Sequence, residues 1–191
     1  TALWMARYYD APLATTLQTI LPRGLTKKRR TAAYSRQTIS RDRTHYLLNK
    51  DQQAAVDVLT QHTNGTALLH GVTGSGKTAV YITYAKHIMA QQKSVIILVP
   101  EIALTSQLIA EFEQHFSDIL LTHSQQTESA RHQIWLNALQ STIPRIVIGP
   151  RSALFLPLAH IGAIIIDEAH EGTQTELGQN VIDALKHANT K

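Results

Sequence analysis

Five short apolar runs constrain the architecture of this chain more than any other feature. They are Ala67-Leu68-Leu69, Val95–Val99, Ile119-Leu120-Leu121, Ile146-Val147-Ile148 and Ala163–Ile166. Each is three to five residues long and mostly β-branched or leucine, with no polar residue alternating through it. Such runs suit strands buried on both faces, as in a parallel sheet. Helical patterns lie between them, at about 77–91, 103–116 and 127–140, and an amphipathic one runs over 51–61 ahead of them. Alternation of strand and helix predicts a doubly wound α/β domain. Ligands of such domains bind beyond the carboxyl ends of the strands, so those ends are where chemistry is sought.

The loop after the first run is Gly71-Val72-Thr73-Gly74-Ser75-Gly76-Lys77-Thr78. It fits the pattern G-x-x-x-x-G-K-[ST], with the apolar run before it and the helical pattern after it. Small residues let the backbone curl so that its N–H groups point at phosphate oxygens. The following helix adds the positive end of its dipole. Lys77 is expected to bridge the β- and γ-phosphates of a nucleotide, and the Thr78 hydroxyl to ligate Mg²⁺. ATP and Mg²⁺ are therefore the expected ligands.

The last run ends directly in Asp167-Glu168-Ala169-His170. A hydrophobic strand ending in Asp is where an enzyme with this loop places its second Mg²⁺ contact, so Asp167 is the expected partner of Thr78. Glu168 would orient or deprotonate the attacking water. His170 would sense the γ-phosphate. Alone, each could be an ordinary strand-end carboxylate or loop histidine. Adenylate kinases and GTPases share the loop, but the Asp-Glu-Ala-His tetrad narrows the choice to ATPases of the helicase kind. No Asn-Lys-x-Asp guanine reader is present.

Charge is distributed unevenly. Residues 1–50 hold ten Lys/Arg and two Asp, whereas residues 51–191 hold eight Lys/Arg and twelve Asp/Glu. A basic arm before a mildly acidic domain suggests contact with a polyanion, although a solvated linker would look the same. Residues 26–45, with Lys27-Lys28-Arg29-Arg30, read as that linker. Residues 1–25 carry apolar positions that could line one side of a helix interrupted at Pro12. The chain has no cysteine, which excludes disulfides and cysteine-based zinc sites, so no zinc is expected. No run of 18 apolar residues occurs, so no membrane span is expected. Thr1-Ala2-Leu3-Trp4 does not open a secretory signal, and the absence of an initiator Met is read as a sign of a fragment.

Several strings go beyond these general motifs. Leu68–Tyr81 (LLHGVTGSGKTAVY), Val95–Gln107 (VIILVPEIALTSQ), Leu121–Ser124 (LTHS), Ile146–Phe155 (IVIGPRSALF) and Ile164–Glu171 (IIIDEAHE) resemble superfamily 2 DNA helicases of the primosomal, replication-restart kind. The resemblance covers nearly all of residues 2–171. It implies a RecA-like P-loop domain over 46–191, after the end of an N-terminal DNA-binding domain (1–25) and the basic linker. It implies a cytoplasmic 3′-to-5′ helicase acting on single-stranded or forked DNA with other replication-restart proteins. By position, Gln52 resembles the adenine-reading glutamine. Pro100–Thr105 and Gly149–Ser152 resemble two loops that contact the DNA backbone, making Pro100, Thr105, Gly149, Arg151 and Ser152 the expected DNA contacts. Arg151 and the two hydroxyls are natural phosphate partners.

The chain departs from the family pattern in three places. Pro150 stands where Thr is usual, 172–176 lacks the usual aromatic, and the stretch 26–45 replaces a longer winged-helix domain. The second motor lobe that the resemblance implies, with its arginine finger, has no counterpart in these 191 residues. The expectation for this chain alone is therefore ATP binding, slow turnover and no duplex unwinding. A nucleotide-gated DNA-binding module without catalysis, and an inactive truncated helicase, are the alternative readings.

Overall fold

The computed structural model describes residues 2–22, 47–62, 64–72 and 74–168. The basic linker, Thr73, His170 and the tail through 172–191 lie outside the described residues, together with whatever the sequence reading assigns to them.

Four strands form one sheet: β1 (Ser94–Leu98), β2 (Ile119–Leu121), β3 (Ile146–Gly149) and β4 (Ile161–Ile166). The order is β2-β3-β1-β4 and every pairing is parallel. Four helices accompany the sheet, two ahead of β1, then one between β1 and β2 and one between β2 and β3. They are α3 (Lys50–Gln61), α4 (Lys77–Ala90), α5 (Ser106–Glu113) and α6 (Glu128–Gln140). Two helices stand at the amino end, α1 (Ala2–Tyr8) and α2 (Leu13–Ile20), and they pack on each other with the break before Pro12. No described helix is long and apolar enough to cross a membrane.

The two-residue period of the strands sorts the core into two layers. Val95 and Ile97 of β1, then Val99, join Ile146 and Ile148 of β3 on one face, covered by Ile82, Ala85 and Ile88 of α4 and Phe112 of α5. Ile96 and Leu98 face the other way with Val147 and Leu120, covered by Ala138 of α6 and Ala153. Every residue of β1 and β3 is buried. That is why these runs carry no polar alternation: helices cover both faces. The architecture is thus the α/β, RecA-like arrangement expected, a parallel sheet flanked by helices.

Two local expectations are corrected. The helical pattern at 103–116 resolves into a 3-10 turn at Glu101–Ala103 and the shorter α5. Thr105 starts α5 as its N-cap, its hydroxyl accepting from Leu108 N at 3.2 Å. More consequentially, Ala67–Leu69 is not a strand. Among the described residues nothing pairs with it, and Leu68 is 85% exposed. The reason is hydrogen bonding: a three-residue apolar run gains a ladder only beside a neighbouring strand, and without one its N–H and C=O groups turn to water.

Candidate functional site

Parallel strands with matched registers end together. Leu98 pairs with Gly149 on one side and with Ile166 on the other, and Leu121 pairs with Ile148. The alignment continues one residue further, with Val99 N donating to Gly149 O at 3.0 Å and Asp167 N to Leu98 O at 2.9 Å. One edge of the sheet therefore presents the loop after β4, the loops after β1 and β3, and the loop after β2.

At the β4 end, the glycine loop and the acidic turn face each other. Gly74, Gly76, Lys77, Thr78, Asp167 and Glu168 line one cavity of about 220 Å³. Residues 93 positions apart in sequence thus meet, because α4 packs back across β1 and β4. The glycines are needed for backbone reasons: Gly74 and Gly76 adopt φ of 80° and 81°, a region that costs other residues about 1–2 kcal/mol. Gly76 is also the left-handed residue from which α4 starts. Glu168 has φ 52°, a left-handed conformation that a non-glycine residue adopts only at some cost.

Three side-chain contacts hold this end. The Lys77 ammonium donates to the carbonyls of Gly71 (2.9 Å) and Val72 (3.2 Å), so it folds onto its own loop. Gln52 closes a capping box with Asn49 at the start of α3. Its amide nitrogen also donates to Ser75 O at 3.1 Å, reaching the glycine loop across 23 positions. A Cβ at Gly76 would collide with that amide. The Tyr81 hydroxyl donates to Asp167 Oδ1 at 3.2 Å. Burial, and then the Asp167 charge, push the Tyr81 phenol far above its ordinary range, so it stays a donor.

The ends of β1 and β3 and the loops that follow them carry the residues matched to DNA contacts. Pro100 leads into the 3-10 turn of Glu101–Ala103, and Pro150 leads into a second one at Arg151–Phe155. Arg151 and Ser152 are exposed. Gly149 lies against Thr122, where a Cβ would meet the Thr122 carbonyl oxygen at 2.6 Å and its methyl. Glu101 spans β3 to accept from Ser124 N at 2.9 Å. Hydrogen bonds from Ser124, and then the neighbouring His123, hold the Glu101 carboxyl below its ordinary range.

Sequence reasoning located the glycine loop, Asp167 and Glu168. It passed over Tyr81 and the Glu101–Ser124 contact, although both lie inside strings it quoted. For Tyr81 a signal existed: a phenol three positions after Thr78 shares its helix face. Nothing local signals that Glu101 reaches Ser124. Among the described residues no group of three or more His, Asp or Glu gathers into a metal cluster. Thr78 and Asp167 supply two hard oxygen donors at one cavity, which suits Mg²⁺ held by one or two protein ligands and nucleotide phosphates.

A motif-bearing parallel domain of this kind is matched by the family described as Type III restriction enzyme, res subunit, over residues 45–190, and the chain belongs to that family. Within the broader set of similar proteins stand several replication restart proteins PriA. The chain is 38% identical to that of Treponema pallidum over 174 residues, covering 90% of this chain and 26% of that protein. It is 45% identical to that of Chlamydia trachomatis over 129 residues (65% and 17%). It is 34% identical to that of a Synechocystis species over 186 residues (93% and 22%). The chain therefore spans about a sixth to a quarter of the length of these relatives.

Proposed function

We propose that this chain is the ATP-binding motor lobe of a 3′-to-5′ DNA helicase that acts in replication restart. The observation that carries the reading is the shared cavity of Gly74, Gly76, Lys77, Thr78, Asp167 and Glu168, which joins a phosphate-binding loop to an acidic strand end. Its similarity to replication restart proteins supplies the biological setting.

In this reading the backbone N–H groups of the glycine loop and the start of α4 bind the nucleotide phosphates. Lys77 leaves the carbonyls of Gly71 and Val72 for the β- and γ-phosphates. Thr78 and Asp167 hold Mg²⁺, which when bound neutralises charge on the phosphates. Glu168 orients the attacking water and accepts its proton. Gln52 reads the adenine edge: its amide already touches the glycine loop, so base and phosphate recognition share one side chain. Pro100, Thr105, Gly149, Arg151 and Ser152 contact the DNA backbone, with Arg151 as the charged partner. Thr105 Oγ1 accepts in its capping role and keeps its own O–H to donate. Single-stranded or forked DNA is the proposed polymer, and other replication-restart proteins are the proposed partners.

The experiment is ATP turnover by the purified chain with and without single-stranded or forked DNA, beside binding of a fluorescent ATP analogue. Binding that is lost in Lys77→Ala, with turnover raised by DNA, supports the motor reading. Binding with no turnover under any condition reduces the chain to a nucleotide-gated binding module. Absence of nucleotide binding refutes the reading.

A further inference from the structure

Asp167 is held from two directions. Its backbone N–H is fixed to Leu98 O at 2.9 Å, which continues the β1–β4 ladder one step past the strand. Its side chain is met from α4 by the Tyr81 hydroxyl at 3.2 Å. Tyr81 follows Lys77 by four positions and Thr78 by three, so one face of the helix offers the ammonium, the threonine hydroxyl and the phenol in succession. The Tyr81 ring is partly buried against the core layer formed by α4, β1 and Phe112, which fixes where its oxygen lies.

We propose that Tyr81 is a positioning residue for the metal-binding carboxylate: its hydroxyl orients Asp167 so that the carboxylate meets a divalent cation shared with Thr78. The inference rests on the nucleotide-binding reading above. The chemistry is that of a carboxylate with two oxygens and about four acceptor sites. With Oδ1 committed to the phenol, the carboxylate plane no longer rotates freely, and the remaining acceptor capacity is aimed rather than averaged. Outer hydrogen-bond partners of metal ligands commonly change metal affinity by roughly 10–100-fold when removed. One neutral phenol bond lies at the low end of that range. The ring and the hydroxyl have separable jobs: the ring packs and the hydroxyl aims. Tyr81→Phe therefore removes one job and leaves the other.

The test measures the affinity of a fluorescent ADP analogue for the full chain in EDTA and in saturating Mg²⁺. The ratio of the two reports the metal's contribution without any turnover. Tyr81→Phe is expected to keep the EDTA affinity within about twofold and to reduce the Mg²⁺-dependent gain roughly tenfold. Asp167→Asn is expected to abolish the gain, and the double variant to match Asp167→Asn alone. An unchanged gain in Tyr81→Phe, while Asp167→Asn loses it, overturns the proposal and leaves the nucleotide site intact. A further loss in the double variant also overturns it, because the hydroxyl would then act elsewhere. If Asp167→Asn itself keeps the gain, the metal role of Asp167 fails first and this inference falls with it. If Tyr81→Phe unfolds, the hydroxyl holds the fold rather than the carboxylate, and the proposal is wrong.

Discussion

The two halves of the sheet's carboxyl edge are built by different physics. Around the glycine loop and β4, polar side chains hold the geometry: Lys77 to its own loop, Gln52 to Ser75, Tyr81 to Asp167. The frame there is open. Of the six residues of β4 only Ile165 is buried, and Ala67–Leu69 has no ladder. Around the loops after β1 and β3 the packed core holds the geometry. Every residue of both strands is buried, and Gly149 presses against Thr122. A polar frame can exchange its partners for a ligand at little structural cost. A packed frame cannot, because close-packed side chains have few alternative arrangements. Nucleotide binding would thus rearrange hydrogen bonds, whereas the proposed DNA loops would act as a fixed platform.

The largest expected effect tests the packed half. Phe112→Ala should destabilise the chain by about 3–5 kcal/mol, the usual range for emptying a core aromatic site, because Phe112 is 1% exposed beneath β1 and α4. Urea denaturation measures it, and a loss under about 1 kcal/mol would mean that the layer repacks. Lys77→Ala comes next, and its effect should fall on binding. A charge-assisted contact worth about 1.5–3 kcal/mol predicts roughly a 10–100-fold loss in ATP affinity. The denaturation midpoint should hardly move, since among the described residues the Lys77 ammonium hydrogen-bonds to the exposed loop's own carbonyls, those of Gly71 and Val72. An unfolded Lys77→Ala would erase the contrast between the two halves.

Gly149→Ala should cost about 1–3 kcal/mol by overpacking, because the new methyl meets the Thr122 carbonyl oxygen as well as the Thr122 methyl, and the main chain cannot swing aside. Nucleotide affinity should stay near wild type; a large loss there would show the halves to be coupled. The smallest effect concerns the polar contact on the packed side. Glu101 has a lowered pKa in the folded chain, so its contact with Ser124 is fully present above the unfolded glutamate value and fades as pH falls through the lowered one. The Ser124 amide resonance, followed by acid titration, should have its midpoint below the ordinary glutamate value. A midpoint at or above that value would mean that the contact does not persist in solution.

Much of the proposed nucleotide site was readable because its residue types are forced locally. A left-handed loop requires Gly74 and Gly76, and a phosphate cradle requires a lysine and a hydroxyl at the helix start. Asp167 and Glu168 stood out because an apolar run ends directly in two acids, downstream of the glycine loop. The error at Ala67–Leu69 has the opposite cause. Strand formation belongs to a pair of segments, and the run itself says nothing about its neighbour. Thr105 shows the same limit, since the hydroxyl proposed to meet DNA also caps α5.

By itself the sequence determined the alternation of strands and helices, the glycines of the loop and the donors proposed for phosphate and metal. Each follows from preferences acting over a few neighbouring residues. Tertiary structure alone decided that the order is β2-β3-β1-β4, that Tyr81 holds Asp167 across 86 positions, and that Glu101 reaches Ser124 across 23. Strand order and these contacts depend on how α4 and the loops pack across the sheet. That packing balances burial over the whole domain, and no short window of sequence contains it.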